Sequence, residues 1–304
     1  MASQAPIAIF CYRRPDHLRR TLQSLMKCEG FEGSPVFVFG DGPRNESEQA
    51  AVDSTRAIAR ELLGGNAQYH FSDSNRGLSA SVINGVGTVI ERHGRVIVIE
   101  DDLALNKFFV RFMNEALQRY EDDGNVFQVS GYAFESNEIA IRNQSVFLPF
   151  TTSWGWATWQ RAWQHFDAEA RSWELLATNA ELRARFNLGG AYDYATMLER
   201  QMGGQRDSWA IRWYWSVFLK SGLVLFPPMS LVSNTGFDGS GAHGSGVFSR
   251  FNQVFDGSAI KYPELPMSAV LNQSVVAQAV AALRRQNGGL RTRCLDMVRR
   301  LFGR

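Results

Sequence analysis

The chain has 304 residues, of which 45% are hydrophobic and 20% are charged, and its 32 basic and 30 acidic side chains almost cancel. This balance excludes a disordered or highly charged scaffold, and the apolar content is enough for one large core or two modest ones. The longest apolar runs, such as residues 96–99, are strand-sized and far shorter than the roughly 20 residues that a membrane-spanning helix needs.

Strand and helix patterns alternate along the first 130 residues. Strands are predicted at residues 6–11, 36–39, 67–71, 95–99 and 126–130. Helices with one apolar face are predicted at residues 15–26, 47–63 and 78–92, and the aromatic run 108–113 fits a further helix. This alternation is typical of an α/β fold in which a mainly parallel sheet is flanked by helices. The continuous apolar run of the fourth strand predicts a central position for it.

The pattern changes in the second half of the chain. All eight tryptophans lie there, between Trp154 and Trp215, so we expect the two halves to have different roles. We place a soft boundary near Pro149 and expect both halves to share one continuous sheet. Two stretches, 188–206 and 234–246, are rich in glycine or turn residues, and the second is long enough to be a mobile loop.

Polar and charged side chains follow each of the first four predicted strands. They are Cys11, Tyr12, Arg13 and Arg14 after the first strand, Asp41 after the second, Asp73 to Gly77 after the third, and Glu100, Asp101 and Asp102 after the fourth. Ligands of open parallel sheets bind at the carboxyl ends of the strands, so these groups should converge on one crevice. The chain has neither a Gly-x-Gly-x-x-Gly after the first strand nor a Gly-Lys-Ser/Thr loop, so the dinucleotide and P-loop interpretations lose their main support.

The acidic triplet Glu100, Asp101 and Asp102 is the strongest chemical signal. Three adjacent carboxylates repel one another, and a divalent cation is the simplest way to hold them together. Carboxylate oxygens suit Mg²⁺ or Mn²⁺, either of which would also bind the phosphate oxygens of a nucleotide. A solvated acidic turn is the alternative, and the position directly after the most hydrophobic strand favours the metal site.

Several segments resemble the GT-A fold of nucleotide-sugar-dependent glycosyltransferases. Residues 10–18 and 21–25 resemble the opening of the family-2 type enzymes, and residues 75–79 with Asn84 and Gly85 resemble their third-strand loop. Residues 98–103 followed by two phenylalanines are similar to the metal segment of eukaryotic N-acetylglucosaminyltransferase I and its protein-O-mannose relative. Further similar segments follow in the same order, at residues 153–156, 207–209 and 242–244.

The resemblance implies how a donor would bind. Cys11 and Arg13 would border the nucleotide base and phosphates, and Asp41 would hydrogen-bond the base. Glu100 and Asp101 would hold the sugar or ribose. Residues 1–149 would then form the nucleotide-sugar half, residues 150–265 the acceptor and catalytic-base half, and residues 266–304 a basic helical tail.

The resemblance also assigns the metal ligands and the base. Asp102 would ligate Mn²⁺ or Mg²⁺, His243 would touch the metal or the diphosphate, and Asp207 would be the general base of an inverting transfer. Trp209 and Trp213 follow Asp207, so partial desolvation could raise its basicity. Asp207 could instead, or in addition, be the N-cap of the helix that follows it.

Two further residues have open assignments. Arg76 follows the third strand and could pair with a phosphate or only with a surface carboxylate. Trp156 is assigned to the site as a stacking platform for a sugar, although tryptophans at helical spacing more often belong to the core. The tryptophans at positions 159, 163 and 215 are left to packing.

These observations predict a metal-dependent inverting glycosyltransferase of bacterial surface polysaccharide synthesis. A UDP-sugar is the expected donor, with UDP-GlcNAc as a first guess, and the acceptor is a glycan or a lipid-linked molecule. A sugar-phosphate nucleotidyltransferase is the alternative, but it needs a glycine-rich basic loop after the first strand. A catalytically silent sugar- or nucleotide-binding module would not need Asp207. A glycoside hydrolase also uses two carboxylates but has no use for a metal site at a strand end.

The C-terminal tail concentrates positive charge, with seven arginines between residues 283 and 304 against Asp296 alone. Apolar residues recur at helical spacing among them, which fits either a helix on an anionic membrane surface or one docked on its own domain. Nothing outside the tail supports nucleic-acid binding. The three cysteines have no Cys-x-x-Cys spacing, and residues 1–6 lack the basic head of a signal peptide. We therefore expect a cytoplasmic protein, with peripheral membrane contact through the tail left open.

Overall fold

The computed structural model describes residues 4–134, 139, 143–237 and 261–288. The strands in these residues are β1 (Ile7–Cys11), β2 (Val36–Gly40), β3 (Ala67–Phe71), β4 (Arg95–Glu100), β5 (Leu103–Leu105), β6 (Val126–Ser130), β7 (Val146–Leu148), β8 (Trp156–Trp159), β9 (Leu223–Phe226) and β10 (Val232–Asn234). The helices are α1 (Pro15–Leu25), α2 (Gln49–Leu63), α3 (Leu78–His93), α4 (Phe109–Arg119), α5 (Gln160–Trp163), α6 (Leu175–Thr178), α7 (Ala180–Phe186), α8 (Tyr194–Met202), α9 (Trp209–Leu219) and α10 (Gln273–Gln286).

Eight strands form one sheet in the order β3-β2-β1-β4-β8-β6-β9-β7. The four N-terminal strands are parallel to one another, β8 is antiparallel to both of its neighbours, and β7 is antiparallel to β9. The predicted fold class, a mainly parallel sheet flanked by helices, is therefore confirmed. The sheet contains strands from both sides of Pro149. β5 and β10 form a separate antiparallel pair.

The first half of the chain folds as its local pattern predicts. β4 lies between β1 and β8, and Val96 to Ile99 are fully or almost fully buried, which confirms its central position. α1 begins at Pro15, where the missing N–H leaves no donor unsatisfied. α3 ends at Gly94, which adopts a left-handed conformation with φ of 73°. The predicted start of α2 was early, because residues 46–48 form a 3-10 turn.

The second half is packed around aromatic rings. Trp156, Trp213 and Trp215 have no exposed surface or almost none. The turn-rich stretch 188–206 contains α8, whose N-cap Asp193 accepts a hydrogen bond from the backbone N–H of Thr196. This helix was not predicted from the sequence, because it is short and tertiary packing stabilises it.

The last described helix, α10, docks on the domain. Val275, Ala279, Ala282 and Leu283 are buried, and Arg284 donates a hydrogen bond to the Gly189 carbonyl at 3.1 Å. The start of the predicted tail thus packs on the protein itself, whereas residues 289–304 lie outside the described residues. In the described part of the chain, no helix has the length and apolar character needed to cross a membrane.

Candidate functional site

The carboxyl ends of β1 to β4 meet at one edge of the sheet, as the sequence predicts. The backbone N–H of Asp41 donates to the Cys11 carbonyl at 3.1 Å, which joins the ends of β2 and β1. The backbone N–H of Tyr12 donates to Asp101 Oδ2 at 3.2 Å, which joins the ends of β1 and β4. Residues from three predicted strand ends therefore lie in one crevice.

Two carboxylates of the acidic triplet at the end of β4 contact one guanidinium group. Arg14 Nη2 lies 3.3 Å from Asp101 Oδ1 and 3.2 Å from Asp102 Oδ2. Burial, with repulsion from the other two carboxylates, raises the pKa of Glu100. Burial also raises the pKa of Asp101, although Arg14 opposes this shift. The raised pKa values reflect the cost of ionising three neighbouring carboxyl groups, of which Asp101 and Asp102 are buried and Glu100 is half-buried, beside one guanidinium.

Residues from two other segments of the chain pack on the acidic triplet. Thr235 donates from its backbone N–H and from Oγ1 to the Asp102 carbonyl, at 2.7 and 3.0 Å. Thr21 Oγ1 donates to the Asp101 carbonyl at 2.7 Å. A Cβ atom at Gly236 would lie 2.3 Å from Asp102 Oδ2 and 2.8 Å from Arg14 Nη1, so the backbone can approach this closely only at a glycine.

The donor atoms of this cluster suit a hard divalent cation. The carboxylate oxygens are suitable cation ligands. Arg14 Nη1 is buried and has no hydrogen-bond partner among the described residues, so it can donate to an oxygen of a bound molecule. Among the described residues, however, no three Asp, Glu, His or Cys side chains converge as a metal-binding group. Asp102 would therefore hold a cation together with ligands from a bound molecule. His243, the second predicted ligand, lies outside the described residues.

Asp41 holds the loop that follows β3. Its Oδ1 accepts hydrogen bonds from the backbone N–H groups of Gly42 and Arg76, and its Oδ2 accepts one from Gly77, all between 2.8 and 2.9 Å. Asn75 Nδ2 also donates to the Gly42 carbonyl at 2.9 Å. The buried carboxylate thus fixes the loop that begins α3, and its predicted contact with a nucleotide base stays a prediction.

Asp207 approaches the same loop from the second half of the chain. Its side chain is 57% exposed, and Oδ1 lies 3.7 Å from Arg212 Nη2. Oδ2 accepts a long hydrogen bond of 3.4 Å from the backbone N–H of Ser79 in the first turn of α3. The N-cap of α9 is Ser208, so the predicted N-cap role of Asp207 for that helix is wrong. Asp207 remains accessible beside the loop that Asp41 fixes.

The remaining predicted donor residues have different surroundings. Cys11 is buried, and burial together with the nearby Asp101 raises the pKa of its thiol, so it is a neutral group. Arg13 is half-exposed and pairs with Glu48 at 3.0 Å. The Tyr12 hydroxyl also donates to Glu48. Arg76 is exposed and lines a cavity of about 310 Å³ beside the ends of β2 and β3.

Trp156 belongs to the core. It has no exposed surface, and its ring stacks on Trp209 with centroids 5.0 Å apart and packs on Trp163 at 5.8 Å. No ring face is open to a sugar, so the assignment of Trp156 as a stacking platform is corrected. Its position on β8, between β4 and β6, explains why it is covered.

Sequence reasoning missed the partners of the acidic triplet. Arg14 follows the first predicted strand and was given no role. The parallel topology puts the end of that strand next to the end of the fourth, so a pairing of Arg14 with the acidic residues could have been expected. The contacts of Thr235 and Gly236 had no such signal, because more than 130 residues separate them from Asp102 in the sequence.

No protein-family model matches the chain. The chain is similar to the crystal structure of GalNAc-T7 with UDP, GalNAc and Mn²⁺, with a TM-score of 0.47 and 10% identity over 77% of this chain and 44% of that one. It is also similar to the galactosyltransferase LgtC in complex with donor and acceptor sugar analogues, with a TM-score of 0.35 and 12% identity over 58% of this chain and 65% of that one. The chain thus spans less than two thirds of each of these proteins.

Proposed function

We propose that the protein is a metal-dependent inverting glycosyltransferase with a GT-A fold. The observation that carries the proposal is the acidic triplet at the carboxyl end of the central strand β4, in which the buried Asp101 and Asp102 contact one guanidinium. The loops after β1, β2 and β3 border the same crevice, and Asp207 lies at the loop after β3. This combination supplies both a cation site and a base.

The donor in this proposal is a nucleotide diphosphate sugar. Asp102 holds Mn²⁺ or Mg²⁺, and the metal, when bound, neutralises the charge that develops on the leaving diphosphate. Arg13 and Arg76 have exposed guanidinium groups on the loops after β1 and β3, where they can pair with phosphate oxygens. The buried Asp101 and the half-buried Glu100 accept hydrogen bonds from the sugar or ribose hydroxyls.

Asp207 is the proposed base. It takes the proton from the acceptor hydroxyl while that oxygen attacks the anomeric carbon and the diphosphate leaves from the opposite face. An exposed carboxylate is suited to this step, since the acceptor must reach it from solvent. Arg212 and the Ser79 N–H, both near its oxygens, orient the carboxylate.

The finer assignments follow from the sequence resemblance. We propose a UDP-sugar as donor, with UDP-GlcNAc tested first, and a glycan or lipid-linked acceptor in bacterial surface polysaccharide synthesis at the cytoplasmic face of the membrane. A sugar-phosphate nucleotidyltransferase is the weaker candidate, because it needs a glycine-rich loop after β1 and this chain has Tyr12, Arg13 and Arg14 there. A catalytically silent binding module is also less well supported, because it would give Asp207 no role.

A panel of UDP-, GDP-, dTDP- and CMP-sugars, each with and without Mn²⁺, tests the proposal. Thermal stabilisation and release of the free nucleotide are measured for the native protein, Asp102→Asn and the control Asp122→Asn, which changes an exposed carboxylate after α4. We expect one nucleotide class to act only with Mn²⁺, the control to match the native protein, and Asp102→Asn to lose both signals. A panel without any metal-dependent response contradicts the proposal.

A further inference from the structure

A second cavity lies between the sheet and the helices α8, α9 and α10. Its volume is about 180 Å³, and it is lined by six aromatic side chains, those of Tyr132, Phe134, Trp154, Tyr192, Tyr194 and Tyr214. Thr151, Thr152 and Ser153 add hydroxyl groups to one wall. None of the described residues that line it is Asp, Glu, His, Lys or Arg.

The cavity is connected through its lining to the segments that carry the two chemical groups of the proposed active site. Ala210 and Ile211 line it from the first turn of α9, directly after the segment that carries Asp207. On the other side, the Trp154 ring packs on Phe237 with centroids 5.6 Å apart. Phe237 follows Gly236, whose backbone packs on Asp102. The segments that carry the proposed base and that cover Asp102 therefore both continue into residues at or beside the cavity.

We propose that this cavity binds one neutral pyranose ring of the acceptor, an inference that rests on the proposed glycosyl transfer. Aromatic rings pack against the C–H faces of a pyranose, and the hydroxyl groups of the threonine and serine wall can pair with its hydroxyls. A charged sugar would lose its hydration without an opposite charge in the lining, which is costly. The binding site thus selects against uronic acids and phosphorylated sugars.

The size and position of the cavity favour a single ring over a longer ligand. Pockets for larger ligands usually have volumes of about 300 Å³ or more, so this cavity has room for one small ring. Thr151, Ser153 and Trp154 are only half-buried, which leaves the cavity open to solvent on the side from which an acceptor would enter. Leu283 of α10 closes part of the opposite wall.

Two methionines of α8 provide a matched pair of variants. Met197 lines the cavity and Met202 does not, and both are half-buried in the same helix. Met197→Trp should fill the cavity, whereas Met202→Trp should leave it open. Ala210→Leu fills the cavity from α9 and replaces Met197→Trp if that variant does not fold, as judged by circular dichroism.

Saturation-transfer NMR measures binding without requiring turnover. The probes are the methyl glycosides of glucose, galactose and N-acetylglucosamine, methyl glucuronide as the charged analogue, and hexanol as an apolar chain. We expect at least one neutral glycoside to bind the native protein and Met202→Trp, with at least tenfold weaker binding to the filled variant and no binding of the glucuronide.

Three results would overturn the inference. The first is that no neutral glycoside binds the native protein, and the second is that a glycoside binds the filled variant equally well. The third is that filling the cavity weakens the binding of hexanol alone. Metal-dependent release of nucleotide from the donor is measured in the same samples and reports on the proposed function separately. Donor turnover without glycoside binding rejects only the cavity assignment. Glycoside binding that the filled variant loses, without donor turnover, supports a sugar site in the cavity and rejects the proposed transfer.

Discussion

The carboxyl edge of β1 to β4 and the aromatic half of the protein are built on different physical principles. At the edge, buried charges are held by specific partners, as Asp41 is by three backbone N–H groups and Asp102 by Arg14. In the other half, indole and phenol rings pack on one another, and Trp156, Trp213 and Trp215 are almost completely buried. At the edge, the loss of a charged group should therefore lower the free energy of unfolding. In the aromatic half, the loss of side-chain volume should lower it.

The comparison also separates two kinds of binding. The edge offers charged groups that suit a diphosphate and a cation, whereas the aromatic cavity around Trp154 offers neutral surface for a sugar ring. Asp207 lies between the two regions, because it contacts the start of α3 and precedes α9. Variants at the charged edge should therefore lose cation-dependent nucleotide binding, whereas variants in the aromatic cavity should lose sugar binding.

The largest expected effect is the loss of a core ring from the aromatic half. Trp213→Ala should lower the free energy of unfolding by about 4 kcal/mol, because it removes a fully buried indole and leaves a cavity. Urea denaturation followed by circular dichroism measures the change. Trp154→Ala is the control and should cost less than half as much, since Trp154 is only half-buried. Equal losses would contradict the assignment of Trp213 to the core.

Arg14→Met tests the charged edge. Removing the guanidinium leaves the buried carboxylates of Asp101 and Asp102 without their shared partner, so we expect a loss of about 3 kcal/mol in the free energy of unfolding. Arg13→Met, which breaks a half-exposed pair with Glu48, should cost less than about 1 kcal/mol. Both values come from urea denaturation at neutral pH. A larger loss in Arg13→Met would reverse the assigned roles of the two arginines.

Asp41→Asn is expected to have a smaller effect at the same edge. The amide keeps one acceptor oxygen, but the charge-assisted hydrogen bonds to Arg76 and Gly77 weaken, so we expect a loss of about 2 kcal/mol. Hydrogen exchange of the Gly77 amide should become faster. Asp53→Asn, at an exposed carboxylate of α2, should change neither quantity by much. Unchanged exchange at Gly77 would show that Asp41 does not fix this loop.

The smallest expected difference compares two buried indole N–H groups. Trp213 Nε1 donates to Gln128 Oε1 at 2.7 Å, whereas Trp156 Nε1 is buried without a partner in the described residues. Trp213→Phe should therefore cost about 1 kcal/mol more than Trp156→Phe, since only the former leaves a buried acceptor unpaired. Thermal denaturation of the two variants side by side gives this difference. Equal costs would mean that the hydrogen bond to Gln128 adds no net stability.

The sequence predicted the elements of the first half because their signals are local. The apolar runs of β1, β2 and β4, the alternating pattern of β3 and the apolar faces of α1 to α3 are visible within short sequence windows, and their order places Asp41 and Asp102 at one edge. The convergence of Cys11, Tyr12 and Asp101 follows from parallel topology alone. This part of the candidate site needed no tertiary information.

The rest could not be predicted because it depends on packing between distant segments. Which tryptophan is covered is decided by the neighbours of β8 and α9, so Trp156 could not be distinguished from Trp154. The pairing of Arg14 with two carboxylates depends on side-chain geometry at the end of β4. The approach of Gly236 to Asp102 joins segments that the sequence leaves far apart.

Isothermal titration with UDP tests the central claim most directly, namely that the acidic triplet binds a nucleotide diphosphate through a cation. The native protein, Asp102→Asn and Asp207→Asn are each titrated with and without Mn²⁺. We predict Mn²⁺-dependent binding that is lost in Asp102→Asn and kept in Asp207→Asn, because Asp102 is a proposed cation ligand and Asp207 is not. Binding of UDP that is equally strong without Mn²⁺, or unchanged in Asp102→Asn, would contradict the account.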